Sequence, residues 1–223
     1  MNKTILIAPF DGPLAGALAQ AAREAGWAAA LAVAPRPRAA EGARREEEAP
    51  AGAGCVALPY DPASYVSAAA LVASACNALG DIEVAVLLAD RRAGPADLAA
   101  CKPGELAALV GGACAGPLYL VRELARRFEE RRSGAFLLLA QERPRDAEAG
   151  PAAALAEGAF EGLGRGLFAR AEGAAWRAFG VTDASGQPDR AARYALSLLD
   201  EGRTAKSGRW LRFTGKPGLF GSL

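Results

Sequence analysis

Histidine is absent from all 223 residues of this chain, and every mechanism that moves a proton on imidazole goes with it. No Ser-His-Asp triad, Cys-His dyad or His-ligated metal centre can be assembled within it. Cysteine is scarce. Cys55, Cys76, Cys101 and Cys114 contain no C-x-x-C pair of the kind that binds metal or exchanges disulfides, and they read as free, reduced thiols. An excess of charge is missing too: 26 Lys and Arg stand against 25 Asp and Glu, for a formal net charge of +1. That balance argues against nucleic acid or an anionic membrane as a partner recognised through net charge. The opening MNKTILIAPF enters an apolar run without the basic region and cleavage site of a signal peptide. The Ala-rich segments are interrupted by Arg, Glu and Gly before they resemble a membrane span. The expectation is a cytoplasmic protein whose partner is a protein or a small molecule.

What is present is apolar bulk. Hydrophobic residues make up 52% of the chain, 56 residues are Ala, and charge amounts to 23%, the profile of one soluble globular domain. Residues 4–9 form a strand candidate, and after Asp11-Gly12-Pro13 a helical run covers 14–25 and stops at Gly26. A second strand is expected over 27–34. Residues 35–54 (PRPRAAEGARREEEAPAGAG) read as a solvated loop, in which Arg36 and Arg38 are either a phosphate clamp or simply hydrated. Further strands are predicted over 55–59, 84–89, 135–140, 176–181 and 210–214. Helices are predicted over 64–79, 95–101, 104–132, 152–171 and 189–199, with Asp61 or Ser64 capping the first of these. Strands alternating with helices predict an α/β fold: a Rossmann-like, doubly wound parallel sheet of about seven strands with helices on both faces, in one domain spanning 1–223.

In this order and spacing, the stretches ILIAPFDGPLAGALAQAAREAGW, GDIEVAVLLAD, GPLYLVRELARRF and FEGLGRGLFAR resemble the short-chain dehydrogenase/reductase family over nearly the whole chain. The resemblance implies a Rossmann domain that binds NAD(P) and moves a hydride with a Ser-Tyr-Lys set. The chemistry-bearing positions depart from the family. The glycines of its T-G-x-x-x-G-x-G phosphate turn fall on Pro9, Pro13 and Ala15. Proline has no N–H and fixes φ near −65°, so it cannot serve as those glycines do, although Gly12 and Gly16 leave a shifted turn open. The N-N-A-G after the fourth strand falls on Leu87, Leu88, Ala89 and Asp90, and the Asn of the proton relay falls near Ala113.

The catalytic Ser falls on Ala140, the Tyr of Y-x-x-x-K on Ala153 and its Lys on Glu157. The resemblance makes that Tyr the general acid/base, with Lys lowering its pKa and Ser steadying the substrate oxygen; Ala, Glu and Ala do none of this. Tyr60, Tyr65, Tyr119 and Tyr194 have no Lys at i+4 to replace the pair. Asp61 sits where the family's adenine-contacting Asp stands, but it reads more simply as part of a helix cap with Ser64 and does not by itself restore a cofactor site. Only TDASGQP separates the sixth strand from the next helix, too little for the family's substrate lid.

Ala154, Gly158, Gly162 and Gly166 recur at spacing four. Glycines inside a helix cost about 1 kcal/mol each relative to Ala, so this stripe predicts close packing, either against a partner subunit, as the resemblance implies for this helix, or against the chain's own sheet. The apolar tail FTGKPGLFGSL points the same way. The expectation is a non-catalytic subunit, with no metal and no cofactor of its own, that pairs with itself or with an active relative holding NAD or NADP, such as a hydroxyacyl-CoA or ketoacyl dehydrogenase/reductase. An active NAD(P)-dependent reductase with displaced residues and a small-molecule sensor using the emptied cleft are the rival expectations.

Overall fold

The computed structural model describes residues 3–35, 54–89, 99, 101–142, 150–199 and 208–215. Seven strands, β1 (Thr4–Ala8), β2 (Ala28–Val33), β3 (Cys55–Pro59), β4 (Val84–Leu88), β5 (Ala135–Gln141), β6 (Arg177–Asp183) and β7 (Arg209–Phe213), form one sheet in the order β3-β2-β1-β4-β5-β6-β7. Every pairing is parallel. The strand order reverses between β1 and β4, which opens a crevice at their carboxyl ends.

Strand residues alternate between two cores, as the period of two requires. Ile5, Ile7, Val84, Val86, Leu137 and Leu139 face α1 (Gly12–Glu24) and α6 (Pro188–Ser197). Leu6, Ala85, Leu87, Phe136 and Leu138 face the opposite layer, built from α2 (Tyr65–Leu79), α4 (Gly116–Arg131) and α5 (Pro151–Ala171). Burial on both faces explains why VAVLL and AFLLLA are unbroken apolar runs.

Three features depart from the sequence reading, and a fourth decides between two alternatives it left open. The helix expected over 104–132 is α3 (Pro103–Val110) and α4 joined by a π turn, Gly111–Ala115. This Pro103–Arg131 segment is long and apolar enough to cross a membrane by length and composition, contrary to the expectation that no stretch would be. Leu120, Val121, Leu124 and Phe128 bury one of its faces in the core. β6 runs two residues past the expected end, because Thr182 and Asp183 pair with Ala140 and Gln141. The glycine stripe of α5 does not pack on the sheet: Ala154, Gly158, Gly162 and Gly166 are exposed, and Cβ atoms at the three glycines would meet nothing within 4 Å. Gly164 makes the close approach instead, with a Cβ there only 2.7 Å from the Trp210 ring.

The loop 36–53, with Arg36 and Arg38, lies outside the described residues. So do Asp90, the tail beyond Gly215, and most of the helix expected over 95–101.

Candidate functional site

A cavity of about 370 Å³ opens at the carboxyl ends of β1 to β4, at the point where the strand order reverses. Ala8, Pro9 and Phe10 follow β1 along one wall, Ala32 and Leu87 contribute from β2 and β4, and Ala108, Gly112 and Pro117 come from the helix above. Tyr60 to Ala63 complete the lining.

The turn from β1 into α1 is poor in donors. Pro9 and Pro13 have no N–H, and Phe10 N–H donates to Ala32 O at 2.7 Å, so residues 9–13 offer at most the amides of Asp11 and Gly12, beside the Asp11 carboxylate, and the first turn of α1 adds that of Leu14 after the gap at Pro13. Gly12 takes φ +76°, a left-handed conformation that favours glycine. Gly16 is an exposed helical residue and Ala15 is wholly buried. The shifted glycine pair therefore supplies one special conformation, with Pro13 following it directly. A pyrophosphate needs several convergent N–H groups at a helix N-terminus, and this turn does not fit it. The described lining residues include no Lys or Arg. Leu87, in the position of a family amide, is 1% exposed and presents hydrocarbon to the cleft.

Near the expected catalytic positions, α5 packs against the π turn. Ala113 is buried in that turn, Ala140 is half-buried near the end of β5, Ala153 is buried on α5, and Glu157 is exposed one helical turn further on. None of the three alanines can carry a proton. The other tyrosines are occupied in packing. Tyr65 donates to Glu123 Oε1 at 2.7 Å and meets Tyr119 edge-on at 5.6 Å, while Tyr194 stacks on Phe213 at 4.8 Å. Between β6 and α6 only residues 184–187 intervene, and Asp183 Oδ1 fills this turn by accepting from the Ser185 N–H at 2.8 Å. There is no span there for a lid.

Asp61 lines the cleft while holding its own loop: Oδ1 accepts from Ala63 N–H at 3.0 Å, and its N–H donates to Ser67 Oγ at 2.8 Å. Ser64 is the cap of α2, with Oγ accepting from Ser67 N–H at 3.2 Å.

The residue that sequence reasoning passed over is Tyr60. It lines the cleft, is 2% exposed, and its hydroxyl has no hydrogen-bond partner among the described residues. An unsatisfied buried hydroxyl costs about 1–3 kcal/mol. Burial, with the Asp61 carboxylate beside it, pushes the phenol well above its ordinary range and keeps it protonated. The available signal was a tyrosine directly after a strand that ends in the crevice.

No protein-family model and no curated protein matches the sequence. Solved structures do. A short-chain dehydrogenase from Streptomyces avermitilis is similar over 96% of this chain and 89% of its own, at 19% identity and a TM-score of 0.72. A 3-ketoacyl-(acyl-carrier-protein) reductase from Brucella melitensis, complexed with NADH, is similar over 96% and 97%, at 18% identity and a TM-score of 0.79. An NADH-dependent reductase responsible for alginate metabolism matches 96% of each chain at 13% identity and a TM-score of 0.76. The chain thus has the parallel, seven-stranded Rossmann-like fold of the short-chain dehydrogenases/reductases. The expected sheet is borne out.

Proposed function

We propose that this chain is a non-catalytic subunit of an oxidoreductase assembly in the cytoplasm. It holds no dinucleotide and pairs, through α3, α4 and α5, with a second copy or with a catalytically complete relative. An active hydroxyacyl-CoA or ketoacyl dehydrogenase/reductase is the relative that the resemblance favours. The observation that carries the reading is the cleft itself: proline and a spent amide stand where phosphate donors are needed, and Ala140, Ala153 and Ala113 stand where a proton would move.

The association half rests on the exposed faces. Val110, Leu118 and Leu155 are each about half exposed, and Gly158, Gly162 and Gly166 leave the neighbouring α5 face flat. Exposed apolar side chains beside a glycine stripe favour close helix-to-helix docking.

Sedimentation of the chain, alone and co-purified from its host, tests this. The wild type should travel as a dimer or larger species, or with a chain that carries an intact glycine turn and Y-x-x-x-K. Folded Gly162→Leu should lose that association by roughly one to two decades, because overpacking of a tight contact costs about 1–3 kcal/mol. A folded variant with unchanged mass would contradict the interface. Carbonyl reduction by the purified chain above a buffer control would favour an active reductase with displaced residues.

A further inference from the structure

The cleft is apolar where it would have to be polar for a dinucleotide, yet Tyr60 on its wall carries a buried hydroxyl without a partner among the described residues. Buried phenols ordinarily find a partner. We propose that the cavity binds a compact, uncharged, mainly apolar molecule whose carbonyl oxygen accepts a hydrogen bond from Tyr60 Oη.

Size, charge and donor chemistry each narrow the ligand. The volume of about 370 Å³ lies at the small end of the roughly 300–1,000 Å³ typical of small-molecule pockets, room for a bicyclic ring system or a short acyl body. The walls are hydrocarbon: Ala8, Phe10, Ala32, Leu87, Pro117 and Leu120. Asp11 and Asp61 are the charged groups among the described lining residues, so an anion would meet two carboxylates and, among those residues, no cation. Burial holds the phenol in its protonated form, which makes it a donor and selects an acceptor on the ligand.

The hydroxyl lies at the helix wall. A Cβ on Gly116 would stand 2.9 Å from it, and both Pro117 and Gly112 line the cavity. Oη is shielded in this position, so the proposal requires the phenol to turn toward the cavity when the ligand binds. The inference shares with the subunit reading only the premise that the cleft does not take a dinucleotide, and it requires no partner chain.

Prodan, an uncharged naphthyl ketone whose emission moves to the blue on leaving water, is the probe. Titrated into the full chain, it should bind saturably at one site. Tyr60→Phe keeps the ring and should weaken binding by roughly threefold to tenfold, the range of one net hydrogen bond. Ala108→Trp places an indole at an exposed helical position on the cavity wall and should abolish binding in a folded protein. Anilinonaphthalene sulfonate, an anionic probe, should not bind at this site.

The proposal is overturned by no saturable prodan signal with wild type, by unchanged affinity in either variant, or by equal binding of the sulfonate blocked by Ala108→Trp. Competition with NADH separates the two readings. Displacement of prodan by NADH would defeat the dinucleotide-free premise while leaving the prodan site in place, whereas absent prodan binding would defeat the ligand proposal and leave the subunit reading untouched.

Discussion

Gly116 and Tyr60 stand in such close approach that a Cβ on the glycine would lie 2.9 Å from the tyrosine hydroxyl, and 2.6 Å from Pro62 Cβ as well. One turn earlier, a Cβ on Gly111 would lie 2.8 Å from Ala63 Cβ. These two glycines, at either end of the π turn, let the loop after β3 press against the helix and close the outer wall of the cleft. Alanine normally improves a helix over glycine by about 1 kcal/mol. At 116 the clash reverses the sign, and Gly116→Ala should destabilise by about 1–3 kcal/mol. Gly16→Ala, at an exposed site with nothing within 4 Å, should stabilise by about 1 kcal/mol. Urea unfolding followed by circular dichroism checks both.

Trp210 lies across β6 in a similar way. A Cβ on Gly180 would clash with its ring, and one on Gly164 would sit 2.7 Å away. The indole therefore links β7 to β6 and α5, with Phe160 and Phe168 at 6.2 and 5.7 Å. Gly180→Ala should destabilise by about 1–3 kcal/mol. In Trp210→Leu the same substitution should cost clearly less, because the clashing ring is gone. The measurement is a double-mutant cycle by denaturant unfolding; additive effects would place the ring elsewhere.

The sheet was legible because its central strands carry their evidence locally. VAVLL and AFLLLA are apolar on both faces, and CVALP is bounded by turn residues, so β3 matches its expected limits. The cap of α2 was legible at Ser64 for the same reason. The extra length of β6 was not, since Thr182 and Asp183 are extended by pairing with β5 and not by any apolar pattern. The direction of the α5 stripe was hidden as well. Spacing four places Gly158, Gly162 and Gly166 on one face, but only the bulk of Phe160, Leu167 and Phe168 decides which face turns inward. At the site, substitutions such as Pro9 and Pro13 could be read residue by residue. Tyr60 could not, because its isolation depends on what loops and helices distant in sequence bring around it.

Tyr60 also gives the protein an alkaline limit. Its folded phenol loses a proton only above the usual range, while in the unfolded chain it ionises near the ordinary value of about 10. Above that pH the native state binds more protons at this site than the unfolded state, so stability falls as pH rises. Below it the contribution is fully present. Wild type should therefore lose stability more steeply than Tyr60→Phe on going from neutral pH to above about pH 10, as read from urea midpoints across the series. Parallel curves would show that the phenol is not buried.

The most direct test of the central claim is a calorimetric titration of NADH and of NADPH into the full chain, carried to millimolar ligand. Pro9, Pro13 and the amide of Phe10 already bonded to Ala32 leave too few donors for a pyrophosphate, so the expected result is no saturable heat with either nucleotide. Saturable binding of either one would contradict the account, and it would do so whatever the oligomeric state of the protein.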